Sequence, residues 1–149
     1  MSTSIHRRVD ALRAGSDPTF VARLSSGWAV LGEKQVLPGY CLLLPDPVVP
    51  TLNSLNGAER AAFLADMAAL GDAVLSVTHA VRINYAIFGN QDPALHAHVI
   101  PRYAHEPPEF VAAHPWTYDW SAAPDFEVER HWELRDRIHG VLGAAKARA

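Results

Sequence analysis

The run Ala94-Leu95-His96-Ala97-His98-Val99-Ile100-Pro101-Arg102 constrains this chain more than any other stretch. Successive side chains of an extended strand point to opposite faces. The imidazoles of His96 and His98, at i and i+2, therefore share one face, while Leu95, Ala97 and Val99 fill the other. The alternation predicts a strand with one buried face and one open face on which two titratable rings stand side by side. Such a pair has three readings: a nucleophile with a proton-transfer partner, two ligands of a zinc ion, or polar surface groups. A catalytic zinc needs a third protein ligand. The chain has no HExxH or paired-cysteine spacing, so His79, His105 and His114 are the histidines that folding would have to bring in. Spacing alone leaves all three readings open.

With 149 residues, 49% of them hydrophobic, the chain has enough apolar material for one domain, 1–149, with a real core. The formal charge is −3 and the basic residues are scattered, which argues against a nucleic-acid binder and for a small-molecule partner. Met1 to Arg8 is polar and lacks the apolar core of a signal peptide, and no later stretch reads as apolar enough to span a bilayer. A cytoplasmic protein without a membrane partner is expected. The single cysteine, Cys41, lies in the apolar run from Tyr40 to Leu44 and reads as a core residue.

The pattern from Ile5 to Ala14 predicts a short peripheral helix, with Val9 and Leu12 as its apolar side. Phe20 to Leu24 and Trp28 to Leu31 read as short strands joined by Ser25-Ser26-Gly27, hence an antiparallel pair. A third strand, Tyr40 to Leu44, follows Pro38-Gly39 and is closed by Pro45, Pro47 and Pro50. Asn56 caps the best helix, Glu59 completes a capping box, and Phe63, Met67, Leu70, Val74 and Val77 form the stripe that should lie on the sheet. Val81, Ile83, Tyr85 and Ile87 alternate with Arg82, Asn84 and Ala86 as a fourth strand, and Gly89-Asn90-Gln91-Asp92-Pro93 turns it into the histidine strand.

Beyond Arg102 the prolines and aromatics predict an ordered arm, with Trp116, Tyr118 and Trp120 packed on the sheet or a partner subunit rather than on a ligand. A last helix, about Phe126 to Ala144, carries Leu134, Ile138, Val141 and Leu142 on one side. His79 reads as the cap of the long helix, and His105 and His114 as loop residues of the arm. Arg102 reads as a solvated or ion-paired group outside the catalytic set, and Asn84 faces either the histidines or a neighbour across the sheet.

The order and spacing of Trp28 to Pro45, the capped helix, the strand Val81 to Phe88, Gly89-Asn90 and the histidine run resemble the histidine triad (HIT) superfamily over roughly residues 20–103, leaving 104–149 as arm and C-terminal helix. The strand before the helix matches that superfamily's Pro-Gly-His-strand-Pro element, and the histidine run its His-x-His-x-His-x-x-Pro-Arg form. The resemblance implies an α+β fold: a HIT-like antiparallel sheet of about five strands with a long helix packed on it and a C-terminal helix. It also implies a homodimer acting, without metal or other cofactor, on a nucleoside phosphate or a dinucleoside polyphosphate such as a diadenosine polyphosphate. His96 would attack the α-phosphorus to form a covalent nucleotidyl-histidine intermediate, for hydrolysis or transfer. His98 would protonate or hold the leaving group, and as a protonated imidazole would meet charge on the phosphoryl oxygens. Gly89-Asn90 falls where the family has Gly-Gln or a similar phosphate contact, so Asn90 and Gln91 are the expected substrate-binding donors.

Three positions depart from that pattern. Ala94 stands in place of the first histidine, Tyr40 in place of the histidine after Pro-Gly, and Gly32 in place of a polar residue that holds ribose, with Glu33 beside it as a substitute. The departures imply fewer groups to fix the tautomers of His96 and His98, hence a slower enzyme or a nucleotide-binding protein without turnover. A hydrolase using His96 and His98 as metal ligands is the third reading.

Overall fold

Reciprocal capping opens the first helix: the Thr3 hydroxyl accepts from the His6 N–H while the His6 ring bonds back to the Thr3 N–H, starting α1 (Ser4–Arg13). This is seen in a computed structural model that describes residues 2–148; Met1 and Ala149, the two ends of the expected single domain, lie outside the described residues. β1 (Phe20–Arg23), β2 (Gly27–Leu31) and β3 (Cys41–Pro45) follow as the turn and proline signals predict. Asn56 and Glu59 form the predicted capping box of α2 (Gly57–Thr78). β4 (Arg82–Ala86) and β5 (Ala97–Arg102) then form a hairpin whose loop carries Gly89 at φ +79°. All neighbours are antiparallel and the sheet order is β1-β2-β3-β5-β4, so the histidine strand is interior, between β3 and β4.

One sheet face carries Ala29, Leu31, Cys41, Leu43, Leu95, Ala97 and Val99, all buried against the helices. They meet Phe63, Leu70, Val74 and Val77 of α2, as the stripe predicts, and Ile138 and Leu142 of the last helix, α4 (Val128–Arg148). Each fully buried Val or Leu here stabilises the fold by about 1.5–3 kcal/mol. Contrary to the expectation that no stretch is apolar enough to span a bilayer, α2 has the length of a membrane-crossing helix and a mean hydropathy of 1.5. Its apolar side is instead spent on the sheet.

The opposite face departs further from the sequence reading. Ile5, Val9 and Leu12 of α1 join one buried cluster with Val30, Leu42, Leu44 and Ile100, so α1 is a layer of the core and not peripheral. From the other side the arm lays Tyr103, Trp116, Tyr118 and Trp120 against the same cluster. The histidine face is open only in the strip between these two covers.

Arg102 fixes the arm. Its guanidinium, 6% exposed, donates to Glu106, 2% exposed, at 2.9 Å, to Asn84 Oδ1 at 2.7 Å, and to the carbonyls of Phe110 and Ala113 at 2.8 and 2.6 Å. Glu106 also accepts from the Tyr103 N–H and the Tyr118 hydroxyl, both at 2.7 Å. Burial works to raise the Glu106 pKa, but the bonds from Arg102, Tyr103 and Tyr118 together bring it below the usual glutamate range. Arg102 is thus ion-paired rather than solvated, and Asn84 pairs across the sheet instead of facing the histidines. The arm continues through α3 (Pro108–Val111) and two short 3-10 turns, Pro115–Thr117 and Trp120–Ala122. It then bonds to the β2–β3 connection, Gln35 N–H to the Pro124 carbonyl and Phe126 N–H to the Glu33 carbonyl, each 2.7 Å.

Candidate active site

His96 lies just before β5 and His98 inside it, their ring centroids 5.0 Å apart. His96 Nδ1 is 2.7 Å from the Ala94 carbonyl oxygen. A carbonyl only accepts, so Nδ1 carries the hydrogen and a neutral His96 keeps its lone pair on Nε2. The missing side chain at position 94 therefore does not free the tautomer, because the backbone at that position fixes it. Ala94 itself is 0% exposed, which leaves no space for a histidine there.

His98 is held by Tyr40, whose hydroxyl oxygen is 2.7 Å from His98 Nδ1 with the two rings stacked at 5.9 Å. Burial raises the Tyr40 pKa, so the phenol keeps its proton. Burial, helped by the neighbouring His96, pushes His98 down to about 4. The better donor is thus the phenol and the better acceptor the neutral imidazole. Tyr40 donates to Nδ1, and His98 presents Nε2–H to the site. The protonated His98 expected from the sequence is replaced by a neutral donor, because Tyr40 and Trp116 enclose the ring.

Tyr40 and Gly32 form one feature. A Cβ at Gly32 would lie 2.3 Å from Cδ2 and Cε2 of the Tyr40 ring, so the space that a polar side chain would need is the space the phenol fills. Gln35, 3% exposed, braces this turn by donating to the carbonyls of Gly32 and Tyr40, each at 2.9 Å. Gly32→Ala is expected to destabilise the fold by about 1–3 kcal/mol, as overpacking does. It should also displace Tyr40 from His98; equilibrium denaturation gives the first effect and the histidine NMR signals give the second.

Two cavities meet at the histidines. One, about 540 Å³, is lined by Phe88, Gly89, Asn90, Gln91, Asp92, Trp116 and Trp120 together with His96 and His98. The other, about 570 Å³, runs beneath α1 past Ser4, Arg7, Arg8, Glu33 and Tyr40. Asp92 borders both and accepts from the Ser4 hydroxyl, tying α1 to the histidine loop. Arg8 is seated by the Thr19 hydroxyl at 2.7 Å and the Leu31 carbonyl at 3.2 Å. Asn90 and Gln91 line the first cavity together with His96. Trp116 and Trp120 pack on the sheet's second cluster as expected, and they also line the cavity. The roles of Tyr40, Phe88 and the two tryptophans were missed. The register Leu31↔Cys41 would have found one of them, since it brings positions 32 and 40 face to face.

None of the three further candidate histidines, His79, His105 and His114, lines either cavity. His79 is the C-cap of α2 in the left-handed region at φ 58°, and His105 and His114 are exposed on the arm. Among the described residues no group of three or more His, Cys, Asp or Glu side chains is placed to hold a metal ion. Cys41 is fully buried and its thiol pKa is pushed up, as a core residue's would be.

The depressed His98 pKa has a consequence for stability. Unfolding frees a ring with a pKa near 6.5, so between about pH 6.5 and 4 the unfolded chain binds the extra proton. This contribution is complete above pH 6.5 and is lost as pH falls towards 4. His98→Gln should flatten the pH dependence of urea-unfolding stability in that window; an unchanged slope would contradict a buried neutral His98.

Comparison with known proteins agrees with the geometry. The family profile described as HIT domain matches residues 16–105. No curated protein matches the chain. Among solved structures, a histidine triad protein from Marinobacter aquaeolei VT8 is similar with a TM-score of 0.76 at 19% identity, over 97% of this chain and 98% of that one. A histidine triad (HIT) protein from Sinorhizobium meliloti 1021 gives 0.71 at 22% identity, over 87% and 93%. A Zn-bound histidine triad family protein from Mycobacterium smegmatis gives 0.66 at 18%, over 93% and 94%. At these identities the likeness is one of fold. The matched stretch takes in well over half of the chain, from before β1 through both histidines, and on that ground the chain belongs to the histidine triad (HIT) family.

Proposed function

We propose that the protein is a hydrolase or nucleotidyl transferase for a nucleoside phosphate, phosphoramidate or dinucleoside polyphosphate, working through a nucleotidyl-His96 intermediate. The observation that carries this reading is the His96 Nδ1 to Ala94 carbonyl bond, which leaves the Nε2 lone pair for attack. The bond from Nε2 to the α-phosphorus forms as the bond to the leaving group breaks, and the electron pair goes with the departing atom. Water supplies that atom's proton, and the hydroxide left behind attacks phosphorus and releases Nε2, so one water is consumed per turnover. His98 Nε2–H holds the departing atom by a neutral hydrogen bond. Asn90 and Gln91 offer amide donors to the phosphoryl oxygens, and Glu33, its side chain 74% exposed at the charged cavity, is the group for a ribose hydroxyl.

The test is to mix the protein with diadenosine tetraphosphate or an adenosine 5′-phosphoramidate, quench at alkaline pH and weigh the peptides. A nucleotide mass on the peptide holding His96 is expected. Tight nucleotide binding with neither adduct nor product would replace this reading by the one without turnover. Activity removed by a chelator and restored by zinc would replace it by the metal-ligand reading.

The charge of −3 and the cavity size support a small nucleotide rather than a nucleic acid as partner, and the single buried thiol is in keeping with a cytoplasmic setting. A homodimer is part of the proposal. β4 is an edge strand that exposes Tyr85, at 42%, with Val81 just before it at 60%. Sedimentation is expected to give a dimer at micromolar concentration, with Val81→Lys shifting it towards monomer. A wild-type monomer would remove the claim.

A further inference from the structure

The two cavities beside His96 differ in chemistry. The lobe under α1 has Arg7, Arg8, Asp17 and Glu33 on its wall, groups that bind charge and hydroxyls. The other has Phe88, Trp116 and Trp120 on its wall, together with the loop from Gly89 to Asp92 that carries the Asn90 and Gln91 amides. Its one carboxylate among the described residues is Asp92, at the histidine end and already bonded by Ser4. Trp116 and Trp120 stack at 5.2 Å and 17°, and Phe88 meets Trp116 edge-on at 4.8 Å and 90°. The wall is braced: the Trp120 indole N–H donates to the Pro115 carbonyl at 3.1 Å, and the arm that carries both tryptophans is clamped by Arg102 and Glu106. Phe88 nevertheless stays 57% exposed, an apolar surface open to solvent. Trp116 is edge-on to His98 at 5.1 Å, so the aromatic lobe begins at the ring that holds the departing atom.

We propose that the lobe formed by Phe88, Trp116 and Trp120 seats a flat, uncharged aromatic group on the leaving side of the scissile bond, so that the preferred substrates are nucleotide esters or amides of aromatic alcohols or amines. The assignment of that group as a leaving group rests on the nucleotidyl-transfer reading of His96, whereas the ring-binding lobe does not. A ring entering there gains edge and face contacts with aromatic side chains beyond its area burial. The nucleoside then falls to the charged lobe on the other side of the phosphorus.

The test compares the adenosine 5′-phosphoramidates of 2-phenylethylamine and 2-cyclohexylethylamine, which match in length; the phenyl amine is the slightly weaker base, so the wild-type ratio is read against that of Trp116→Ala. kcat/KM should favour the aromatic amide by about tenfold, the size expected of one well-placed aromatic contact. Trp116→Ala should bring the ratio close to one. Phe88→Leu, at an exposed position where folding is not at stake, should lower it in the same direction. A ratio near one in the wild type, or one that survives both substitutions, overturns the proposal. A second measurement is independent of turnover: 2-(1-naphthyl)ethanol should quench the fluorescence of the wild type, and the response should be lost in Trp116→Ala, while 2-cyclohexylethanol should have no effect. If neither amide is cleaved but the naphthyl probe still quenches, the ring-binding lobe stands and the transfer reading fails. If the probe does not quench, or if rising protein concentration alone shields Trp116 as a second copy would, the lobe is not a ligand site.

Discussion

His96→Ala is expected to lower turnover of a confirmed nucleotide substrate by at least about a thousandfold, the order of loss seen when a covalent nucleophile is removed. The fold should survive. The ring lies outside both buried clusters, and within the protein its hydrogen bond is to the Ala94 carbonyl. Removing that bond costs about 1 kcal/mol, a small part of a domain's stability. Circular dichroism and a denaturant midpoint near that of the wild type, together with lost product formation and lost adduct, constitute the expected result. Wild-type turnover in this variant would end the assignment of His96 as nucleophile.

The largest expected loss of stability belongs to Arg102→Ala. Glu106, 2% exposed, would be left as a buried carboxylate without its cation, and breaking a buried pair in this way costs about 3–5 kcal/mol. Asn84 and the carbonyls of Phe110 and Ala113 lose their donor in the same step. Urea denaturation measures the loss, and limited proteolysis between residues 104 and 127 shows whether the arm lifts first. Arg102→Ala/Glu106→Ala should be less destabilising than the sum of the two single substitutions, since the second change removes the stranded charge. Additive effects would mean that the pair does not hold the arm.

Local patterns made the sheet-and-helix core legible. The alternation around His96 and His98, the proline stop after β3 and the capping box of Asn56 and Glu59 each concern neighbours in sequence; the capping box is present as read, while β3 takes in Pro45 before it stops and β5 begins at Ala97, one residue after His96. What the sequence hid depends on long-range burial. The state of His98 is set by Tyr40, 58 residues away, and by Trp116, neither of which any period links to it. Similarly, the arm's position follows from a buried Arg102 network joining β4, β5 and α3, where a terminal arginine reads by default as surface. The cover provided by α1 was hidden for a simpler reason: Ile5, Val9 and Leu12 make too short a stripe to reveal what it packs on.

The fit of Gly32 against Tyr40 restricts the order in which this site can change. With the phenol in place, any residue bearing a Cβ at position 32 collides with it, so a ribose-binding side chain cannot be introduced there first. Shrinking the residue at position 40 opens the space but removes the bond that orients His98. Each route towards a polar residue at position 32 therefore passes through a variant whose second histidine is unanchored. A saturation library at position 32 should yield almost only glycine in the wild-type background and a broad set of residues once position 40 is made small.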